Sequence, residues 1–322
     1  MRPSIAPRIT NVRPILLRAP IIAPVRMAVG QLQARQAVLV LIDTDAGITG
    51  IGESWVNYPS WGPLERLATI THGLRPLLLG EPIDDPVRLW HKCVDALHRL
   101  ALQWGAIGPI YQAISGVDLA LWDLSGQIAG VPLWQLLGAP TQAQVPAYAS
   151  GLGPDAVEAQ ATAAMAAGFR AVKLKVGFGR GADETNLAAI RSAIGDGTLF
   201  TDANQGWSLE QARSLRPALV AAQAAWMEEP FPADDDPAWQ AAKEVFGLPL
   251  AGGENLYGVQ FERWFEQGLL DIVQPDICKC GGLTAARRIL AAAGKRGLRL
   301  APHFFGSAVG LAATIHLFAS LP

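Results

Sequence analysis

The stretch from Lys173 to Glu254 decides the fold, because charged residues follow an apolar run in four short segments: KLK (173–175), TDAN (201–204), MEEP (227–230) and GGE (252–254). The steps from Lys175 to Asp202, then to Glu228 and then to Glu254 are 27, 26 and 26 residues. A strand, a loop, a helix and a return loop take about that many residues. Each charged residue therefore falls at the same point of successive strand–helix units. In a closed parallel barrel that point is the C-terminal strand end, where active sites are built.

The second part of the chain alternates strictly between short apolar segments and alanine-rich helical segments. Such alternation predicts parallel strands with helices outside them. The seven predicted strands are Val145–Ala149, Ala171–Val176, Leu199–Thr201, Ala225–Met227, Leu248–Ala251, Asp271–Val273 and Leu298–Leu300. The fold class is therefore α/β, a modified TIM-type (β/α)7β barrel that lacks its last strand. Because a closed barrel needs eight strands, we expect the natural product to be longer, with an eighth strand bearing a carboxylate after Pro322. Without it, we expect an open slot beside strands one and seven.

The first part of the chain has a different pattern, which predicts an α+β domain. Three β-rich segments form an antiparallel meander, at Val12–Arg18, Ala37–Asp43 and Ile48–Glu53. Apolar residues at helical spacing predict helices at Pro63–Leu79, Asp85–Leu100 and Gly108–Ala129. We place this domain at residues 1–140 and the barrel at residues 141–322.

The composition excludes several classes of function. The chain has 322 residues, of which 50% are hydrophobic and 17% charged, and its net charge is −2. A nearly neutral chain gives no electrostatic reason to expect nucleic acid or a membrane surface as a partner. The three cysteines form no disulfide framework, which fits a reduced, cytoplasmic location.

Asp202, Glu228 and Glu254 are candidate metal ligands. Three carboxylates at the ends of consecutive strands repel one another unless a cation lies between them. An all-oxygen set suits a hard ion, and Mg²⁺ with open positions for water and substrate is the predicted cofactor. The alternative is that the three carboxylates form ordinary salt bridges. We expect the adjacent Glu229 to point away from Glu228 and to pair outside the ring.

Lys173 and Lys175 are candidate catalytic residues. They lie two apart on one strand, so both side chains point to the same face, which is the interior in a barrel. Burying two ammonium groups is costly unless anions or function offset it. The alternative is that both lysines reach solvent from the strand end.

Asp276 and His303 continue the series, with Asp276 22 residues after Glu254 and His303 27 residues after Asp276. A carboxylate on one ring nitrogen fixes the histidine tautomer and makes the other nitrogen a stronger base. The other four histidines lie in helical segments and are interpreted as structural. A substrate on the metal would have Lys175 on one face and His303 on the other. Two such bases suit either racemisation or dehydration.

The chain resembles the enolase superfamily, specifically the mandelate racemase subgroup of the mandelate racemase/muconate lactonizing enzymes, from about Val12 to Pro322. Muconate-type members carry a lysine where this chain has Asp276, which favours the subgroup named. The motifs in order are AISGVDLALWD (113–123), KLK (173–175), TDAN (201–204), MEEP (227–230), GEN (253–255), QPD (274–276) with KCGG (279–282), and APH (301–303).

This resemblance implies roles for the listed residues. It implies Mg²⁺ on the three carboxylates, and removal of the proton α to a carboxylate through an enediolate intermediate. It implies Lys175 as one base, with Lys173 beside the substrate carboxylate, and His303 backed by Asp276 as the other base. Asn204 corresponds to a substrate-contacting asparagine. The resemblance also implies a small-molecule carboxylate as substrate, and a homo-oligomer. We interpret Lys279 as structural.

The resemblance also makes residues 19–30 and the loop with Trp55, Tyr58 and Trp61 a capping lid that selects substrate. Five residues make the first segment apolar: Ile21, Ile22, Pro24, Val25 and Met27. Apolar lids favour aryl or alkyl acids and racemisation, whereas dehydration of acid sugars is the commoner chemistry in the subgroup. A non-catalytic barrel, impaired by the missing strand, remains the alternative function. A metal hydrolase lacks support because no His-x-His motif is present.

Overall fold

The N-terminal part of the computed structural model, which describes residues 6–27, 30–138 and 144–321, contains an antiparallel sheet in the order β1-β2-β3. The strands are β1 (Ile9–Met27), β2 (Gly30–Thr44) and β3 (Thr49–Ser54). Val38, Val40 and Ile42 alternate with more exposed residues and form the buried face. The first two strands are longer than predicted, because they continue as a hairpin through the segment expected to be a lid.

The helices of this part pack on the sheet and on one another. They are α1 (Gly62–Ala68), a π-helical segment (Thr69–Leu74), α2 (Arg75–Leu78), α3 (Pro86–Trp104), α4 (Ile107–Ala129) and α5 (Leu133–Leu137). The close approach of α4 explains Gly52 in β3, because a Cβ there would lie 2.0 Å from the Gly116 carbonyl oxygen. Helix α4 is buried on most sides, since it contacts β3 and also the helix at Gly282–Gly294 in the second part.

The second part is a seven-stranded parallel sheet in which each strand is followed by a helix, as predicted. Its strands lie in chain order, from β4 at one edge to β10 at the other. The elements are β4 (Ala149–Leu152), α6 (Val157–Ala166), β5 (Ala171–Lys175), α7 (Arg180–Ile194), β6 (Thr198–Asp202), α8 (Leu209–Ala221), β7 (Ala224–Glu228), α9 (Asp236–Phe246), β8 (Leu250–Gly252), α10 (Gln260–Glu266), β9 (Ile272–Val273), α11 (Gly282–Gly294), β10 (Arg299–Leu300) and α12 (Ala308–Ala319). This arrangement confirms the predicted fold class of a capping domain followed by a barrel-like α/β domain. The proposed boundary at residue 140 falls among residues 139–143, outside the described ranges.

The first barrel strand differs from the prediction. It begins at Ala149, where the prediction for Val145–Ala149 ends, and pairs with β5 through Ala149 and Leu152. Residues 144–148 form no strand, and Pro146 among them has no N–H to donate. Tyr148 of the predicted strand packs its ring inside the barrel, 5.1 Å from the ring centre of Phe200. The apolar pattern therefore located the side-chain packing correctly but not the hydrogen-bonded residues.

Two carboxylates of the first domain cap helices of the second. Asp118 of α4 accepts hydrogen bonds from the N–H of Thr284 at 2.8 Å and from its hydroxyl at 2.7 Å, in the first turn of α11. Glu53 of β3 accepts from the N–H groups of Ser307 and Gly310 at 2.8 and 2.9 Å, at the start of α12. Helix N-termini leave N–H groups unpaired and favour negative charge. These two caps fix the first domain against the barrel.

Asp118→Asn is expected to lower the free energy of unfolding by about 1.5–3 kcal/mol. The two hydrogen bonds from Thr284 go to different oxygens of the carboxylate, and asparagine has an NH₂ group, which cannot accept, in place of one of them. Asp123→Asn is the matched control, since Asp123 lies five residues further along the same helix and accepts one backbone hydrogen bond, from Ile51, near the surface. Urea unfolding of both variants measures the difference. Equal losses in the two variants would show that the cap at α11 contributes no more than a surface contact.

No helix among the described residues combines the length and the apolar character needed to cross a membrane.

Candidate active site

The predicted charged residues meet at one rim of the barrel. Lys175 is the last residue of β5, with Lys173 two residues before it, Asp202 is the last residue of β6 and Glu228 is the last residue of β7. The strands pair in register, with Lys175 opposite Asp202 and Asp202 opposite Glu228. Glu254 follows β8 by two residues. Since the strands are parallel, these side chains share the C-terminal end of the sheet.

The two lysines are buried beside the carboxylates and do not reach solvent, so the alternative interpretation of them is wrong. The ammonium group of Lys175 donates to Asp202 Oδ2 at 2.5 Å and to Asn204 Oδ1 at 2.8 Å. That of Lys173 contacts Glu228 and lies 3.3 Å from Asp202 Oδ2. Burial opposes the charged form of Lys173, but the carboxylates of Glu228 and Asp202 outweigh it and hold the pKa well above its usual value. Burial likewise opposes ionisation of Asp202, but Lys175 and Lys173 lower its pKa to about 2.

His303 lies between two carboxylates. Its Nδ1 is 2.7 Å from Asp276 Oδ2, as predicted, and its Nε2 is 2.5 Å from Glu254 Oε2. Asp276 is itself held by the N–H of Cys278, which donates to Oδ1 at 2.7 Å. Burial would lower the pKa of His303, but Glu254 and Asp276 raise it to about 9. Asp276 therefore orients the imidazole, while Glu254 is a partner that the sequence pattern did not predict.

The three carboxylates lie between the lysines on one side and the histidine on the other. Asp202 and Glu228 contact the lysines of β5, and Glu254 contacts His303, which follows β10. Strands β5 and β10 are separated by β6, β7 and β8, which carry or precede these three acids, and by β9, which precedes Asp276. A small molecule bound to the carboxylate cluster through a cation would face Lys175 and His303 from different directions.

The donor set fits a hard divalent ion, although side-chain cations balance it in this structure. Among the described residues, no group of three or more His, Cys, Asp or Glu side chains is arranged to hold a metal ion. Burial raises the pKa of Glu228, and the neighbouring Asp202 adds to the rise against the opposing effect of Lys173. Such mutual repulsion among buried oxygens is what a divalent cation relieves, and Mg²⁺ prefers oxygen ligands. Here Lys173, Lys175 and His303 supply the positive charge.

Three further residues complete the site: Gln274 and Asn255, which had no predicted role, and Lys279, which was interpreted as structural. Gln274 donates to Glu228 Oε2 at 2.7 Å. Asn255 donates to both oxygens of Glu229 at 3.0 and 2.9 Å, and Lys279 donates to Asn255 Oδ1 at 2.9 Å. Two sequence signals pointed to Asn255 and Gln274, since Asn255 directly follows Glu254 and Gln274 lies two residues before Asp276. Glu229 pairs with Asn255. Alternation along the strand predicted that Glu229 points away from Glu228, but it did not identify this partner.

The loop after β3 lies over this rim. The backbone N–H of Trp55 donates to the Cys278 carbonyl at 3.1 Å, and the side-chain amide of Asn57 donates to the carbonyl of Phe305. Arg35 of β2 lies 3.8 Å from the centre of the Phe305 ring. Three polar atoms of this loop are buried and without a hydrogen-bond partner within the described chain: Trp55 Nε1, Asn57 Oδ1 and Tyr58 Oη. A ligand with hydroxyl groups would satisfy such atoms, whose burial without a partner costs free energy.

Comparison with known proteins agrees with this geometry. The chain is 33% identical over 324 residues to D-galactarolactone cycloisomerase of Agrobacterium fabrum, covering 98% of this chain and 83% of the relative. It is 32% identical over 293 residues to D-galactonate dehydratase of Ralstonia pickettii, covering 86% of this chain and 73% of the relative. The crystal structure of a racemase from Streptomyces coelicolor with bound magnesium matches with a TM-score of 0.89 and 31% identity, covering 98% of this chain and 87% of that one.

Two family models match adjoining parts of the chain. The model of the mandelate racemase/muconate lactonizing enzyme N-terminal domain matches residues 11–138, and that of the enolase C-terminal domain-like family matches residues 156–322. Together they span both the capping domain and the barrel, in the order that the sequence motifs predict. The chain therefore belongs to the mandelate racemase/muconate lactonizing enzyme family of the enolase superfamily.

Proposed function

We propose that the protein is an enzyme that removes the proton α to the carboxylate of an acid sugar, through an enediolate intermediate, and then eliminates the β-oxygen substituent. The observation that supports this most is the pair of opposed groups, Lys175 and His303, on either side of a buried carboxylate cluster. Racemisation of an α-hydroxy acid is the second candidate, because the same two groups flank one carbon. The relatives are acid-sugar cycloisomerases and dehydratases, which favours elimination.

Asp202, Glu228 and Glu254 are the residues proposed to hold Mg²⁺. When bound, Mg²⁺ would neutralise the negative charge that develops on the carboxylate oxygens of the substrate. Lys173, which contacts two of the three acids, is proposed to lie beside the substrate carboxylate. Asn204, fixed by its hydrogen bond from Lys175, is proposed to contact the substrate next to that lysine.

The two bases are proposed to act in sequence on one substrate. One of Lys175 and His303 takes the proton from the α-carbon, and the electron pair of that C–H bond forms the enediolate. The carbon–oxygen bond at the β-carbon then breaks, and the departing hydroxyl takes a proton from the other group and leaves as water. The remaining enol tautomerises to a 2-keto-3-deoxy acid. In a lactone the same bond cleavage opens the ring, without loss of water. Asp276 holds His303 in the orientation that either role requires.

The loop over the rim supports a hydroxylated substrate. The unpaired polar atoms of Trp55, Asn57 and Tyr58 suit hydroxyl groups better than an aryl ring. The apolar lid predicted from the sequence favoured an aryl acid, but the side chains of Ile22, Pro24, Val25 and Met27 lie outside the described residues. The hydrogen-bonding capacity of the loop after β3 is therefore the stronger guide to substrate.

The test is a panel of aldonic and aldaric acids, their lactones, and mandelate, incubated with the enzyme and Mg²⁺. Formation of 2-keto-3-deoxy acids is followed by NMR, and racemisation by polarimetry. We expect keto acid from at least one acid sugar and none from mandelate. Racemisation of mandelate without turnover of any acid sugar would favour the second candidate. A folded, Mg²⁺-binding protein that turns over nothing would support the non-catalytic alternative.

A further inference from the structure

We infer that Lys279 is a positioning residue, which fixes the Glu254–Asn255 segment and links it to Trp55 in the loop after β3. This inference rests on the proposed function in so far as Glu254 is taken as a metal ligand. Lys279 lies three residues after Asp276, in the loop between β9 and α11, and only 2% of its surface is exposed.

On the barrel side, Lys279 sets the orientation of one amide. Its ammonium group donates to Asn255 Oδ1 at 2.9 Å. A lysine has donors only, so it must face the oxygen of the Asn255 amide, and the NH₂ group is turned to the opposite side. There it donates to both oxygens of Glu229, at 3.0 and 2.9 Å, and lies 3.4 Å from Glu254 Oε1. Lys279 thereby determines which group of Asn255 faces the two acids.

The backbone around these acids supports the same interpretation. Glu229 has φ of +39°, a left-handed conformation that non-glycine residues rarely adopt. Such a conformation costs about 1–3 kcal/mol and persists only where the surroundings hold it in place. The NH₂ group of Asn255 donates to both oxygens of Glu229, and Lys279 holds Asn255 through its Oδ1. The Lys279–Asn255 pair is therefore part of what holds the strand end that carries Glu228 and Glu229.

On the capping side, the same lysine meets the loop after β3. Its ammonium nitrogen is 4.4 Å from the centre of the Trp55 ring, within the range of a cation–π interaction. The backbone N–H of Trp55 donates to the carbonyl of Cys278, the residue before Lys279, at 3.1 Å. The turn from Asp276 to Lys279 is closed by a backbone hydrogen bond of 2.9 Å between its ends. One turn therefore orients His303 through Asp276, holds Asn255 through Lys279, and binds the loop after β3 through Trp55.

Two roles for Lys279 predict opposite effects on cation binding. If the lysine only supplied positive charge, its removal would strengthen Mg²⁺ binding, because one cation near the site would be gone. If it positions Asn255 and Glu254, its removal would weaken binding, as loss of a group that orients a metal ligand typically does by about 10–100-fold. The direction of the change separates the two roles.

The experiment measures Mg²⁺ binding by calorimetry, without substrate, for Lys279→Met and for Asn255→Leu, which breaks the same link from the other side. Both should weaken binding by about 10–100-fold. Lys243→Met is the matched control, since Lys243 lies on the surface, 3.5 Å from Asp271, and should leave binding unchanged. Unchanged or tighter binding in Lys279→Met overturns the positioning role. If that variant does not fold, Asn255→Leu decides by the same criterion.

A second readout separates this inference from the proposed function. Hydrogen–deuterium exchange of the metal-free protein follows the loop at residues 53–60 and the segment at residues 253–257. Lys279→Met should increase exchange in both, because one side chain connects them, and an increase in only one would overturn the link. Wild-type protein that binds no Mg²⁺ would reject the proposed metal site, while the exchange data would still decide whether Lys279 joins the two segments.

Discussion

His303→Asn is expected to lower kcat on the acid-sugar substrate by about 10²–10⁴-fold, the usual contribution of a general acid or base. Asparagine keeps a polar side chain beside Asp276 and Glu254, but its amide group cannot act as a general acid or base. Lys175→Ala should cause a loss of similar size, because Lys175 is the other proposed base. Steady-state kinetics with saturating Mg²⁺ measure both losses.

Exchange of the α-proton for deuterium distinguishes the two bases. Each acts from one side of the carbon, so Lys175→Ala should abolish exchange for one configuration at that carbon and leave some for the other, and His303→Asn should do the reverse. Asp276→Asn should resemble His303→Asn with a smaller effect, because it removes orientation and basicity but not the base itself. Folded variants that both lose both exchanges equally would contradict the two-base assignment.

Glu228→Gln is expected to weaken Mg²⁺ binding by more than about 100-fold, because it removes a charged ligand and not only a group that orients one. The variant also replaces one of the two carboxylate contacts of Lys173 with a neutral amide. Calorimetric titration with Mg²⁺ measures the change. Glu53→Gln is the control, since Glu53 is an equally buried glutamate that caps α12. It should lower thermal stability and leave Mg²⁺ affinity unchanged. Equal affinities in Glu228→Gln and wild type would remove Glu228 from the metal site.

The charged cluster was predictable because parallel strands force equivalent residues to one rim. Spacings of 26 and 27 residues placed Asp202 and Glu228 at strand ends, and the structure pairs them in register. The contact between His303 and Asp276 followed from the same rule. By contrast, the contact between His303 and Glu254 depends on where side chains beyond the strand ends point, which spacing does not determine.

Contacts between the two domains were not predictable from the sequence. Asp118 lies in a helix whose apolar pattern gave no reason to expect a buried carboxylate at the first turn of a distant helix. The resemblance placed Trp55 in the capping lid, but it gave no reason to expect Trp55 beside Lys279 of the barrel. Such contacts depend on how the domains dock, and local periodicity carries no information about docking. The first barrel strand was misplaced for a different reason, because an apolar run containing Pro146 marks packing and not backbone pairing.

The most direct test of the central claim is turnover of an acid sugar in deuterium oxide with Mg²⁺, followed by NMR and mass spectrometry. Removal of the α-proton and loss of the β-hydroxyl, followed by tautomerisation of the enol in solvent, should place one deuterium on the former β-carbon of the 2-keto-3-deoxy acid. His303→Asn and Lys175→Ala should produce almost none of this product. A product whose former β-carbon carries the original α-hydrogen and no deuterium, or full activity in either variant, would contradict α-proton abstraction by this pair of residues.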